Sequence, residues 1–309
     1  MLTSARVLLV AGFALAISVI VHAADTYTLR LNLQPGQSYT QRMTTSQEET
    51  QRVGTSLSKS GQTMTFDIRY DVQQVSAEGI ATVKATYVRT ASSLKSMGLE
   101  TSYDSADGGT PPKEFAVLGS CVGKGFTMEL ARDGSVRSVS GMTEMIESMR
   151  KDLAMDEEGK EQFIKAMKSI ASDESIRDMM EGNFAMFPSK PVSLGESWTR
   201  TLRASMMFPV EEENTWTLKS VEGKKATLEV TSLIRPAGEK TEVDLFGTMV
   251  DVKLEGTQSG TATLDLDSGW TLSSTIYQNV DGSMTPLGQS GAPSVPMHFK
   301  TTIALSLIE

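Results

Sequence analysis

The sequence predicts an α+β fold, mainly antiparallel β, in which two similar β-rich halves flank an amphipathic helical segment. Three observations carry this reading. Apolar and polar residues alternate through both ends of the chain, as in Tyr27–Leu33, Phe66–Val72 and Phe299–Leu307, the period of a strand with one buried face. Apolar residues at helical spacing fill the middle, from Met142 to Phe184. A turn-and-strand motif occurs twice. Gly36, Ser38, Tyr39 and Thr40 of LQPGQSYTQRM match Gly195, Ser197, Trp198 and Thr199 of VSLGESWTRTL. The divisions expected are a leader over 1–23, a β-rich half over 24–140, a helical segment over 141–187 and a second β-rich half over 188–309.

The leader reads as a signal peptide. Arg6 supplies the positive start, Val7–Val21 the apolar stretch, and Val21-His22-Ala23 a small-residue cleavage site. The apolar stretch is shorter than the roughly 20 residues that a bilayer crossing needs, so cleavage before Ala24 is expected rather than anchoring. No Cys stands at that point for lipid attachment. The expected location is the periplasm or the outside of the cell, with no stable transmembrane segment after cleavage.

In Tyr27–Leu33 the odd residues Leu29, Leu31 and Leu33 share one face. Gln34-Pro-Gly36 turns the chain into a strand from Ser38 past Met43. The polar stretch Ser46–Gly61 is either a mobile connection or an exposed strand extension. Phe66, Ile68, Tyr70 and Val72 face inward on the next strand, and Ile80–Val88 returns. Tyr103–Pro112, with Asp107-Gly-Gly109 and Pro111-Pro112, breaks regular structure. Phe126–Leu130 resumes the alternation. Asp133-Gly134 suits a tight hairpin, and Val136 and Val139 lie on its return strand.

Three helical stripes follow: Met142, Met145, Ile146, Met149 and Leu153; Phe163, Ile164, Met167, Ile170 and Ala171; Ile176, Met179, Met180 and Phe184. Asp156, Ser172 and Asp173 are cap residues where helices restart. Phe187-Pro188 closes the segment. Strands then resume in the earlier order. Trp198–Met207 parallels the strand from Ser38, and Asn214–Val221 parallels Phe66–Val75. Ala226–Thr231 aligns with Ala81–Thr86, and Thr261–Gly269 with Phe126–Gly134. In the last strand Phe299, Thr301, Ile303, Leu305 and Leu307 share a side.

Composition narrows the function. With 38 acidic against 29 basic side chains, the chain lacks the positive balance that a nucleic-acid partner wants. A single cysteine, Cys121, leaves no internal disulfide. Gly119-Ser-Cys-Val-Gly123 has the outline of a nucleophile elbow, which needs a preceding strand and a following helix. Phe115–Leu118 would be that strand, but Lys124–Leu130 alternates as a strand rather than a helix, so an incidental thiol is the expectation. The alternative is a cysteine-dependent hydrolase using Cys121. His298, the one histidine after the leader, lies opposite the apolar side of the last strand and reads as solvent-facing. Asp265 and Asp267 share a face beside Ser268-Gly269 and read as hairpin polars rather than a calcium loop. Glu211-Glu-Glu213 reads as a solvated patch. The sequence thus nominates no catalytic, cofactor-binding or metal-binding residue, and no cofactor.

Methionine is the remaining signal: 18 in the chain, eight of them from Met142 to Met186. A flexible thioether fits irregular apolar surfaces. The function read from the sequence is therefore an exported non-catalytic binding protein whose partner is an apolar small molecule or an envelope protein. The alternative is a periplasmic carrier of lipid or another hydrophobic ligand. In that version a cavity of roughly 300 Å³ or more lies between helices and sheet, lined by Met145, Met149, Met167 or Met180.

The landmarks Leu33-x-x-Gly36-x-x-Tyr39, Tyr103-Asp-Ser105 and Pro191-x-x-x-Gly195-x-x-Trp198, with the Ser268-Gly269 hairpin, resemble those of a family of exported bacterial proteins of unknown function. That resemblance implies an exported β-rich protein and assigns no site residues. A looser architectural likeness is to periplasmic lipoprotein carriers and lipid-binding proteins, which place helices against the concave face of a curved sheet.

Overall fold

The computed structural model describes residues 25–308 apart from 54–55, 97, 154–155, 205–209, 239–240, 246–247 and 289–292. The expected signal peptide and cleavage site lie outside the described residues, as does the end of the strand expected to reach Met207.

One 13-stranded antiparallel sheet dominates. Its first-half strands are β2 (Ser38–Val53), β3 (Ser56–Val75), β4 (Ala81–Ser96), β5 (Leu99–Asp104), β6 (Gly125–Leu130) and β7 (Val136–Ser140). Its second-half strands are β9 (Ser197–Ala204), β10 (Val210–Glu222), β11 (Lys225–Pro236), β12 (Glu242–Leu245), β13 (Thr248–Asp265), β14 (Thr271–Pro286) and β15 (Val295–Leu307). The order is β7-β6-β4-β3-β2-β15-β14-β13-β11-β10-β9, with β5 on β4 and β12 on β13. The last strand, β15, joins the halves by pairing with both β14 and β2. In the polar stretch Ser46–Val53 and Ser56–Gly61 are strand, and β2 and β3 run in register to Val53 and Ser56.

The two halves share their local geometry. Gly36 and Gly195 both have positive φ, 85° and 81°. The Gly36 N–H donates to Val72 O at 2.8 Å and the Gly195 N–H to Leu218 O at 2.7 Å. Val72 and Leu218 each return a bond, to Gln37 O and Glu196 O. Even the side-chain brace repeats. Gln37 Oε1 accepts from the Gln34 N–H, and Glu196 Oε2 from the Ser193 N–H. Tyr39 then faces Tyr70 across the ladder as Trp198 faces Trp216. Bulges recur too. One extra residue lies between Val72 and Gln74 on β3 and between Leu218 and Ser220 on β10. A second matched shift occurs at Glu129/Leu130 and Thr263/Leu264. Each bulge bends its strand and strengthens the twist, so both halves curve at these two places, while a further shift at Asp67/Ile68 has no counterpart between β10 and β11.

Residues 28–33 are extended but outside the sheet; only Thr26–Tyr27 pairs (β1), with Val192–Ser193 (β8). The expected alternation holds, with Leu29, Leu31 and Leu33 buried. The backbone crosses one end of the sheet, Leu31 N–H bonding Arg132 O and Asn32 N–H bonding Ser268 O at two corresponding hairpins.

The helices lie where their stripes place them, after a short helix α1 (Ala116–Ser120): α2 (Met142–Met149), α3 (Glu157–Ile170) and α4 (Asp173–Phe184). Asp156 and Ser172 cap α3 and α4 through the Gly159 and Ser175 N–H groups. Asp173 is not a cap of its own helix. It sits in the first turn of α4, and its carboxylate accepts from Met142 N–H at 3.1 Å, serving the start of α2. Helix stripes and both sheet halves meet in one core, from Ile68, Val83 and Met128 through Ile146, Met149 and Met180 to Leu218, Leu228 and Leu264. The Ile170 side chain lies outside the described residues. At the centre Trp270, 1% exposed, stacks on Tyr39 with centroids 4.2 Å apart and meets Tyr70 and Phe184 edgewise or tilted. Aromatic pairs of this kind add to the stabilisation from area burial. A smaller cluster of Val250, Val252, Leu254 and Met297 lies further along β13 and β15.

Helix α4 packs on both β7 and β9, the two end strands of the ladder path. The sheet is therefore curled far enough for one helix to bridge its edges. Among the described residues no helix is long and apolar enough to cross a membrane.

Candidate ligand cavity

Helix α4 presents two stripes. Ile176, Met180 and Phe184 point into the core. Met179, Gly182 and Asn183, followed by Met186 just beyond the helix, fall at i, i+3, i+4 and i+7 and form the roof of a cavity of about 310 Å³. A Cβ built on Gly182 meets no atom within 4 Å, so the helix backbone itself borders open space. The floor is the concave sheet face: Met43, Leu305, Ser274 and Ala262, then Ile303, Ile276 and Trp216. Registry explains the hollow. Small Ala262 and Ser274 are cross-strand neighbours, flanked by the larger Leu228 and Leu305. Trp198 Nε1 donates to Met186 O at 2.8 Å and ties the end of the roof to β9. A void of about 20 Å³ adjoins at Met180, Ile68, Tyr70 and Phe184.

One side of the cavity is polar. Asn214, Ser232, Gln258 and Gln278 stand opposite one another on β10, β11, β13 and β14. Gln278 Nε2 donates to Gln258 Oε1 at 2.8 Å. Gln258 Nε2 donates to Ser232 Oγ at 3.1 Å and Asn214 Oδ1 at 3.3 Å, and the Ser232 hydroxyl donates to the same Asn214 oxygen. Asn214, 3% exposed, bonds in turn to the Glu212 carboxyl, which lines the cavity. Burial pushes the Glu212 carboxyl above the ordinary carboxylate range, and the Asn214 bond opposes that shift.

The sequence-based expectations fare unevenly. A hollow of about 310 Å³ does lie between helix and sheet, but the methionines that border it differ from those expected. Met145 and Met149 are packed in the core, Met167 is absent from the lining, and Met180 touches only the small void. Met43, Met179 and Met186 border the cavity instead. Glu211-Glu-Glu213 is not a uniform solvated patch, because alternation on β10 turns Glu212 inward. Cys121 follows a helix, α1, rather than the strand an elbow requires. Burial raises its thiol pKa to about 11, and its Sγ hydrogen bond goes to Val117 O. His298 is half-buried and pairs through Nδ1 with Asp281 at 2.7 Å. Nucleophile and base are thus not brought together. Asp265 accepts from the Ser268 backbone and hydroxyl, and Asp267 pairs with Lys224. Among the described residues no three His, Cys, Asp or Glu side chains group as a metal site would need.

The model of a protein family of unknown function (DUF6263) matches residues 78–271. No curated protein matches. Among solved structures the chain is similar to lipovitellin, a structure described for its lipid–protein interactions, at 9% identity and a TM-score of 0.50. That match covers 90% of this chain and 26% of the other, so this chain spans about a quarter of lipovitellin's length. OccK7 (OpdD) of Pseudomonas aeruginosa is similar at 7% identity and a TM-score of 0.25, over 88% of this chain and 99% of that one. OccK2 (OpdF) of the same organism, in complex with glucuronate, follows at 6% and 0.21, over 89% and 100%. At such identities the lipovitellin likeness speaks to fold alone, and the last two carry no argument.

Proposed function

The chain belongs to this family of unknown function, whose model spans more than half of it, and from that premise we propose that it is a non-catalytic binding protein holding an apolar small molecule or an acyl chain under α4. The cavity carries the reading. Its volume of about 310 Å³ falls at the lower end of ligand pockets, about 300–1,000 Å³, and its walls are apolar with a few convergent polar groups. Lipovitellin, whose fold this chain resembles, is described for its lipid–protein interactions, and the ligand class is proposed by that analogy of fold. Arg6, the apolar run after it and the Ala23 site support export to the periplasm or beyond.

The test pairs extraction with a blocking substitution. Protein purified from its native host should yield one stoichiometric apolar compound on organic extraction and mass spectrometry. Gly182→Met should fill the space beside α4, lose that compound, and keep or raise the melting temperature, since Gly inside a helix costs about 1 kcal/mol. Recovery of no compound from wild type, or unchanged recovery from the variant, would count against the proposal.

A further inference from the structure

The polar side of the cavity tells which end of a ligand it receives. Three charged residues line it: Glu212, Asp178 and Arg203. Two of them are engaged elsewhere. Asp178 is held by Arg177 at 2.6 Å, and Arg203 is mostly exposed and faces Glu211 at 3.8 Å. Glu212 has no Lys, Arg or His within ion-pair distance among the described residues; its hydrogen-bond partner is Asn214. An ionised carboxylate turned into a largely apolar cleft without a counter-charge is unfavourable, and it is relieved by a proton or by a cation.

Behind Glu212 the sheet is arranged to serve it. Cross-strand register lines up Gln278, Gln258, Ser232 and Asn214 in one row. Every side-chain bond in that row donates in the same direction, from Gln278 towards Asn214, whose oxygen is thereby occupied. What the row offers at its end is a donor, and the Glu212 carboxyl takes it. An ionised carboxylate accepts at up to four lone-pair positions, so one donor leaves capacity on the cavity side. Apolar Ile276, Trp216 and Met179 begin directly beyond the row.

We infer that the ligand is a single-chain amphiphile with a cationic amine at its polar end, the ammonium bonded to Glu212 and the alkyl chain lying under α4. This rests on the cavity reading above and adds the head-group chemistry. Burial favours the protonated form of Glu212 while the cavity holds no cation, and an ammonium at the carboxyl would reverse that shift. A carboxylate-headed amphiphile, by contrast, places like charges together in a site of low dielectric.

Three ten-carbon probes of one chain length decide the matter: decylamine, decanol and decanoate, titrated into the protein freed of endogenous ligand. Tryptophan fluorescence reports binding, because Trp216 is in the cavity wall. Decylamine should bind more tightly than decanoate by roughly tenfold or more, the worth of a charge-assisted hydrogen bond. Glu212→Gln, which keeps shape and the Asn214 contact, should remove that preference and leave decanol affinity unchanged. If decanol binds but decanoate equals or exceeds decylamine in wild type, the amine inference is overturned and the cavity reading survives. An unchanged decylamine preference in Glu212→Gln overturns it equally. Binding of none of the three removes both readings.

Discussion

Neighbouring methionines on α4 give the sharpest test of where the cavity begins. Met180 is 1% exposed and touches only the 20 Å³ void, while Met179 borders the 310 Å³ cavity. Met180→Ala therefore removes packed atoms from a site too tight to collapse, and should cost about 2–5 kcal/mol. Met179→Ala merely widens space that is already open. Its side chain buries only part of its surface, so its loss should cost about 1 kcal/mol. For a chain of this size a kilocalorie moves the melting temperature by about 2–4 °C, so the pair should separate by several degrees. Urea unfolding of both variants beside wild type measures the difference directly. A second readout is ligand retention, which Met179→Ala should weaken and Met180→Ala should leave alone at temperatures where it is folded. Equal destabilisation by the two would mean that Met179 is packed as Met180 is, and the reasoning about the α4 faces would fall.

Two further outcomes follow from geometry. Gly36→Ala and Gly195→Ala should each cost about 1–2 kcal/mol, because both force an L-residue into left-handed backbone with open space around it. Gly269→Ala should cost more, since its Cβ would stand 2.1 Å from Arg30 O; unequal costs at Gly36 and Gly195 in thermal melts would contradict the repeated turn. The Cys121 thiol, raised to about 11 by burial, should alkylate slowly at neutral pH in native protein. The unfolded thiol ionises first, near its ordinary value of 9.0, so this group's contribution to stability declines as pH rises from there towards 11. Iodoacetamide labelling at the rate of a free thiol would refute the burial.

Much of the fold was legible because single strands and helices carry their own periods. The odd leucines of residues 29–33, the inner face of β3 and, Met179 and the undescribed Ile170 side chain apart, the helical stripes lie where alternation or helical spacing puts them. The repeated glycine turn was legible for the same reason, being local. Strand β14 was not. Its concave face runs Ser274, Ile276, Gln278, Val280, Gly282, mixing polar and apolar residues because part of it borders the cavity and part the polar row. Nor was that row legible, since Asn214, Ser232, Gln258 and Gln278 are far apart in sequence and align only through register. Glu212 was hidden among like neighbours, and only the strand parity of β10 sets it apart. Choosing between Met179 and Met180 required knowing how α4 is rotated on its axis.

Strands at the ends of a ladder expose unpaired N–H and C=O groups, a template for any further strand. In this chain β7 and β9 end the ladder path, and α4 lies against both. The same helix that roofs the cavity thus also lies along both end strands. Because the sheet is curled until this one helix touches both end strands, partial melting of the segment around α4 would leave two unpaired edges facing each other across the gap the helix now fills. An occupied cavity, by holding α4 in place, would then keep both edges covered.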